Sequence, residues 1–385
     1  MRADPPRGFP ESEFENRLAR AQRAMAEGSI DALLLTTEPE VRYFSGFLTQ
    51  FWQSPTRPWF LVVPVTGRPV AVIPEIGEPL MARTWIDDIR TWPSPSPDDE
   101  GVSLLADVLA GTASLGVLMG PETTLRMPLQ DFTRLQSILG EMTLVDATRL
   151  VSELRMVKSE AEISKISHIC SVASDAFDAV PGLARAGDSL AGTFRRFKIE
   201  LLESGADDVP YLVGASSAGG YEDVISPPDD RALEEGDILM MDTGAVFDGY
   251  FCDFDRNFAV GRVDDRAKTA HDTLYRATEA GLGAVRPGAR CDEVYQAMRS
   301  VLSDRGHQVS NVGRFGHGLG MQLTEKPSLT SSDKTVLEPG MVLTLEPGVQ
   351  MAPGRSMVHE EVIVVTDEGA ELISRRAPAE LPVIV

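Results

Sequence analysis

The sequence predicts an α/β fold for the first 152 residues and a second domain, residues 153–385, in which long helices surround a β-hairpin. Three observations carry this expectation. Apolar runs at Ala32 to Leu35, Trp59 to Pro64 and Val70 to Pro74 alternate with turn residues, and two further helical patterns surround Leu115 to Met119. A helical stripe opening at Leu154 marks a change of pattern, which puts the domain boundary near Leu150 to Glu153. Met241 to Gly261 reads as a hairpin, and 385 residues suffice for two domains of ordinary size.

Taken in order, Ser12 and Glu15 have capping-box spacing, and Phe14, Leu18, Ala21 and Met25 recur at helical spacing, so a first helix runs to about Glu27. Between the first strands, Gln50 to Phe60 crowds Trp52, Arg57 and Trp59 onto a Pro-broken segment. Such residues can read a substrate carboxylate, and all three are substrate-binding candidates; plain packing is the ordinary alternative. From Leu154 a single long helix is expected, with Ile163, Ile166, Ile169 and Ala173 on one stripe. A second helix covers about Leu190 to Glu203. Val213 to Asp237, rich in Gly, Ser, Pro and Asp, reads as loop with short strand pieces. Two more helices, about Asp265 to Val285 and Cys291 to Arg305, flank the helix-breaking Arg286-Pro287-Gly288.

The hairpin geometry follows from its turn. Asp248-Gly249 supplies the positive φ of a two-residue turn, so Phe247 pairs with Tyr250, Gly244 lies opposite Asp253, and Asp242 lies opposite Asp255. Alternation then puts Asp242, Asp253 and Asp255 on one face and turns Cys252 away. Three carboxylates this close repel one another unless a cation sits among them, and a divalent metal is the economical explanation. A solvated acidic hairpin is the alternative for this stretch alone.

Composition excludes several classes. With 36 Lys+Arg against 58 Asp+Glu the net charge is -22, which repels nucleic acid and anionic membranes. Cys170, Cys252 and Cys291 form no Cys-x-x-Cys motif and suit reduced thiols. No apolar signal core opens the sequence, and no run of about 18 apolar residues could span a bilayer. A soluble cytoplasmic protein is expected.

The last hundred residues add Gly-His-Gly around His317, Glu346 at the end of an apolar strand, and Glu360 at the start of another. The order Asp242-x-Gly244, Asp253 eleven residues on, Gly316-His317-Gly318-x-Gly320, Glu346-Pro347-Gly348, then Glu360-Glu361 opening a strand resembles the creatinase, prolidase and aminopeptidase P family. Val41 to Gly46 and Leu154 to Ser159 resemble that family's N-terminal and linker signatures. The resemblance implies an N-terminal α/β domain, a C-terminal α+β pita-bread domain and a homodimer. It implies a site for two divalent metal ions (Mn, Co or Zn) held by Asp242, Asp253, His317, Glu346 and Glu360, with Asp253 and Glu360 bridging and Glu346 accepting a proton from water. It also implies hydrolysis of Xaa-Pro amides in small peptides. Two other activities share the fold class: enzymes acting on small zwitterions, as creatine and ectoine hydrolases or dimethylsulfoniopropionate lyases do, and non-catalytic binding modules. Retention of four carboxylates and a histidine speaks against the last.

The chain departs from that pattern in two places. The family's histidine before Glu-x-Pro is Thr324 here, and no histidine lies between His168 and His271 to supply the one expected upstream of Asp242. A hydroxyl cannot hold a proton at pH 7 as imidazole can. Asp255, where the family has Thr, and His359, beside Glu360, are therefore further catalytic candidates together with Thr324. Alternation favours Asp255, because it turns His359 away from the face of Glu360 unless a bulge intervenes.

Overall fold

The computed structural model describes residues 4–307 and 313–385. The chain divides into two compact units, Pro6–Arg155 and Met156–Val385, the latter joined by the first residues of the chain. Among the described residues no helix is long and apolar enough to cross a membrane.

The N-terminal unit is α/β. Its elements in order are α1 (Glu11–Glu27), β1 (Ala32–Leu35), α2 (Glu38–Ser45), β2 (Phe60–Pro64), β3 (Val70–Pro74), α3 (Glu78–Met81), β4 (Asp88–Trp92), α4 (Val102–Val108), β5 (Ser114–Val117), α5 (Leu129–Leu139), β6 (Thr143–Asp146) and α6 (Thr148–Met156). The strands form one mixed sheet, β4-β3-β2-β1-β5-β6, whose buried runs pack beneath α4 and α5 around Leu34, Phe60, Val72 and Leu105. The helix α1 starts earlier than its capping box implied: Pro10 is the N-cap and no side chain caps the end. Proline fixes the entry backbone by itself, and Glu11 and Glu13 complement the helix dipole.

The C-terminal unit is α+β. It comprises α7 (Glu160–Leu183), α8 (Leu190–Glu203), β7 (Asp208–Ala218), β8 (Asp237–Phe247), β9 (Tyr250–Phe251), β10 (Phe254–Val260), α9 (Asp265–Ala284), α10 (Cys291–Asp304), β11 (His317–Gly318), β12 (Glu325–Ser328), β13 (Val342–Leu345), β14 (Gly348–Ala352), β15 (Arg355–Val358), β16 (Glu361–Val365), β17 (Ala370–Leu372) and β18 (Val383–Ile384). Two larger sheets run β18-β10-β8-β7, with β9 extending β8, and β12-β11-β13-β16-β17. Their apolar faces share a core with α9 and α10 that includes Met240, Leu274, Met298, Leu343 and Ile363.

One expectation fails here. The helix from Leu154 is not continuous. It stops at Met156, Val157 bridges to Met341, and α7 restarts at Glu160 behind a capping box in which Ser159 and Glu162 exchange hydrogen bonds. Pairing with a distant strand and a local cap together outweigh the helical stripe. The Gly- and Ser-rich segment is loop with short strand pieces, as expected: Val213–Ala218 ends the eleven-residue β7, in register with β8 from Tyr211↔Gly244 to Ala218↔Asp237, and Tyr221 and Ala232 make isolated bridges before β8 begins. Gly214, at φ +151°, allows the close approach: a Cβ there would lie 2.1 Å from the carbonyl oxygen of Met240. Cross-strand pairing overrides the weak intrinsic strand preference of these residues.

Candidate metal centre

The hairpin delivers its carboxylates as the turn chemistry dictates. Asp248 and Gly249 both have positive φ, Phe247 pairs with Tyr250, and Asp255 pairs with Asp242. A like-charged pair directly opposite across two strands is destabilising in isolation. Asp253 lies just before β10 and is 4% exposed; Asp255 is 1% exposed. The second sheet supplies His317 from β11, Glu346 immediately after β13, and Glu360 immediately before β16. Arg256 ties the two sheets together, one guanidinium nitrogen donating 2.7 Å to the Asp255 carbonyl and 2.7 Å to the Glu360 carbonyl.

These residues converge on a cavity of about 320 Å³ lined by Asp242, Asp253, Asp255, His317, Glu346 and Glu360. Donor atoms of Asp253, His317 and Glu360 all lie within 4.8 Å of one another. The His317 backbone N–H donates 3.1 Å to Thr344 Oγ1, and its Nδ1 lies 2.9 Å from the Gly318 carbonyl oxygen, which assigns the proton to Nδ1. Nε2 therefore presents a lone pair 3.4 Å from Asp253 Oδ2 and 3.7 Å from Glu346 Oε1. Three acceptors facing one another need protons or a positive ion between them, and a cation is what their chemistry fits. Asp242 Oδ1, Asp255 Oδ1 and Glu360 Oε1 are likewise buried with no hydrogen-bond partner among the described residues. Hard oxygen donors with one imidazole suit a divalent transition ion.

The electrostatics agree. Burial raises Asp242 to about 7 against the opposing hydrogen bond from Tyr211. Burial raises Glu346 to about 8, Arg314 opposing it. Asp253, Asp255 and Glu360 are pushed well above the carboxylate range by burial first and by neighbouring carboxylates second. Glu346 is partly open, with 26% of its side chain exposed and Arg314 Nε 3.9 Å away.

Asp255 faces the cavity, as alternation requires. Its Oδ2 accepts a 2.9 Å hydrogen bond from Asn257 Nδ2, which also donates 2.7 Å to the Val358 carbonyl, and the buried Tyr221 hydroxyl lies 3.2 Å from Asn257 Oδ1. Thr324 also lines the cavity. Cys252 is turned away, its sulfur 3.8 Å from the Thr243 carbonyl.

His359 does not join the site. No bulge intervenes, and its ring lines a different cavity, with Nε2 3.4 Å from Glu361 Oε1 and the ring centroid 5.9 Å from that of His271. Burial lowers it to about 4 despite Glu361. The three aromatic-loop candidates divide as well. Trp52 and Trp59 are 8% and 2% exposed and pack with Phe47 in the N-terminal unit, and Arg57 lies 5.2 Å from the ring centre of Phe51. For the tryptophans this is packing.

Seven further cavity residues escaped sequence reasoning, among them Tyr211, whose hydroxyl donates 3.2 Å to Asp242 Oδ2, Arg314, Leu323 and Ile225. Arg314, three residues before His317, carried the only available signal, a lone cation beside the glycine-flanked histidine. Ile225, 73% exposed, lay in the segment read as loop.

Comparison with known proteins agrees with this geometry. Residues 164–367 match Metallopeptidase family M24, and residues 17–157 match the Creatinase/Prolidase N-terminal domain. The chain is 28% identical over 387 residues to the probable dipeptidase PepE of Mycobacterium tuberculosis, covering 98% of each. It is 24% identical over 366 residues to the Xaa-Pro dipeptidase of Pyrococcus furiosus, covering 94% of this chain and 98% of that one. Among solved structures, dipeptidase PepE from Mycobacterium ulcerans superposes with a TM-score of 0.85 at 27% identity over 98% of this chain and 99% of that one. The prolidase from Pyrococcus horikoshii, at TM-score 0.80 and 22% identity over 94% and 99%, shares the pita-bread fold. With a family match over more than half of its length and a second over its N-terminal unit, the chain belongs to metallopeptidase family M24.

Proposed function

We propose that this chain hydrolyses small peptides of the Xaa-Pro type with two divalent ions, Mn, Co or Zn, held by Asp242, Asp253, His317, Glu346 and Glu360. The observation that carries this reading is the His317 Nε2 lone pair, fixed by the Nδ1 hydrogen bond and turned toward two carboxylate oxygens. Bound ions supply two kinds of chemistry, polarisation of the scissile carbonyl and acidification of water. The chain's own residues do the rest. Glu346, at the open side of the cavity, accepts the proton that water gives up, its basicity moderated by Arg314. Tyr211 orients Asp242, and Asn257 orients Asp255 so that one oxygen faces the reacting space. Thr324 positions substrate through its hydroxyl, which stays an un-ionised O–H at neutral pH and does not exchange a proton as imidazole does. Leu323 and Ile225 give the mouth an apolar wall. The three free, buried cysteines support a reducing, cytoplasmic setting, and a homodimer accords with the family resemblance.

The test is the metal content of protein purified without added metal, joined to a release assay on Xaa-Pro dipeptides, other dipeptides and longer Xaa-Pro peptides. Two equivalents of metal with proline-linked cleavage is the expected result. Bound metal without cleavage of any peptide would redirect the substrate to a small zwitterion, and protein that binds no metal under loading would overturn the mechanism.

A further inference from the structure

Behind the acidic site, on the opposite side of Glu360, lies a second cavity of about 160 Å³ that the proposed reaction does not use. Three buried polar atoms on its lining residues have no partner among the described residues: His271 Nδ1, His359 Nδ1 and Arg376 Nε. The two imidazoles are 2% and 1% exposed. His271 Nε2 lies 2.9 Å from the Pro378 carbonyl oxygen, so it carries the proton and leaves Nδ1 as an acceptor. His359 Nε2 lies 3.4 Å from the Glu361 carboxylate and 3.5 Å from Arg376 Nη1; the nearer, charged acceptor puts the proton on Nε2 and leaves Nδ1 as an acceptor. Arg376 uses one terminal nitrogen on Glu361 at 3.2 Å and the other on the Tyr275 carbonyl at 2.8 Å, while its Nε–H remains a donor. The cavity thus asks for two donors and one acceptor, next to walls contributed by Phe177, Phe258 and Pro382.

A single water could satisfy those three atoms but would leave most of the volume empty, since a water needs roughly 10–15 Å³ of such space. A cavity of about 150 Å³ takes a six-carbon ring. A carboxylate alone offers no donor to the imidazoles, and an amine alone leaves Arg376 Nε unanswered, although the terminal nitrogens of that guanidinium are met by Glu361, Glu279 and the Tyr275 carbonyl. We propose that this cavity binds a free α-amino acid with a small apolar side chain, its ammonium donating to His271 Nδ1 and His359 Nδ1, its carboxylate accepting from Arg376 Nε, and its side chain lying against Phe177 and Phe258. Such a ligand belongs to the class that a peptidase releases. Binding itself does not depend on the peptidase reading, and the experiment below reads binding directly, so the two can fail separately. Because His359 and Glu361 flank Glu360, an occupant here sits one backbone step from a residue of the acidic site.

The test is calorimetric titration of the metal-loaded full chain with L-valine and L-proline, alongside isobutylamine and isobutyrate, which carry only one of the two head groups. The expected result is saturable binding of an amino acid at least tenfold tighter than either half-molecule. The acidic cavity could also take an amino acid, so two kinds of variant separate the sites. Ala377→Leu, which fills the second cavity, and His271→Phe, which removes the acceptor while keeping a ring, should each weaken binding at least tenfold; Glu346→Gln should leave it unchanged. Either of the first two suffices if the other fails to fold. Crystals grown with L-valine should show the amino acid on His271, His359 and Arg376. Ordered water alone in that cavity, binding at crystal concentration only, or binding abolished by Glu346→Gln but not by the other substitutions would each overturn the proposal.

Discussion

Asn257 Nδ2 donates 2.9 Å to Asp255 Oδ2, which leaves Oδ1 of the same carboxylate as a buried, unpartnered atom on the wall of the acidic cavity. Asn257 is itself held by the Val358 carbonyl and the Tyr221 hydroxyl, so the orientation of Asp255 is set from behind by β10, β15 and the segment after β7. Asn257→Ala should therefore lower kcat with metal content largely retained. Three lost buried hydrogen bonds, to Asp255, Val358 and Tyr221, should cost about 2–4 kcal/mol in urea unfolding. Unchanged kcat in a folded, metal-loaded variant would remove Asp255 from the reaction.

Removing a ligand from the centre of the set should act differently. Asp253→Asn should lose bound metal by elemental analysis and with it all peptide release. The variant should also lose the rise in Tm on metal addition shown by the unsubstituted chain, where ligand at a hundredfold excess over Kd is worth about 2.7 kcal/mol. A variant that retains the full metal complement would exclude Asp253 as a ligand.

The pH dependence of stability should reverse with metal. In the metal-free protein Asp242 is raised from 3.8 to about 7 and Glu346 from 4.5 to about 8, chiefly by burial. Between those values the unfolded chain binds fewer protons than the folded one, so folded-state stability is greatest at low pH and falls as pH rises toward 8. A metal replaces those protons, so metal uptake should release protons near pH 7 and apparent affinity should rise with pH over the same window. Denaturant midpoints with and without chelator, measured from pH 5 to pH 8, check the sign. A chelated protein that gains stability across that window would contradict it.

Gly316 precedes His317 at φ +146°, where a Cβ would meet the Thr344 carbonyl oxygen at 2.1 Å. Gly316→Ala has to push β11 off β13. It should cost at least the 1–3 kcal/mol typical of a strained backbone position, and it should also lose metal. A variant matching the parent in Tm and metal content would show that the loop relaxes freely.

Arg256→Ala should be among the most damaging substitutions in the chain. Glu361 is 0% exposed and accepts from Arg256 at 2.9 Å. Burial alone would raise its pKa, yet Arg256 and His359 hold it well below the usual carboxylate range. Breaking a buried pair from one side costs about 3–5 kcal/mol, readable in urea midpoints. Arg256→Met with Glu361→Gln should recover part of that loss.

How much of this was legible depended on how local the determinant was. The Asp248-Gly249 turn fixes register within a few residues, so the opposition of Asp242 and Asp255, and the turning away of Cys252, followed from spacing alone. Alternation likewise separated Glu360 from His359. The motif order placed His317 and Glu346 with the hairpin, although nothing in spacing shows two sheets converging. Tyr211, 31 residues from Asp242, acts through a cross-strand neighbour that exists only once β7 pairs with β8, and Tyr221, 36 from Asn257, is placed by its bridge to Ser356. The Ser12 cap failed because Pro10 had already set the helix start, and the true cap at Ser159 lay inside what looked like an unbroken helical stripe.

Arg256 reaches the carbonyls of Asp255, Glu360 and Arg375, which belong to one sheet, to the start of a strand in the other, and to the segment beyond β17. A guanidinium clamped to backbone oxygens leaves no side-chain rotamer through which the sheets could move independently. The spacing of the acidic residues is therefore a property of how the sheets are joined, and β10 and β16 should open to solvent together or not at all. Amide hydrogen exchange in these two strands should share a single opening free energy, a unit of cooperativity that crosses the sheet boundary.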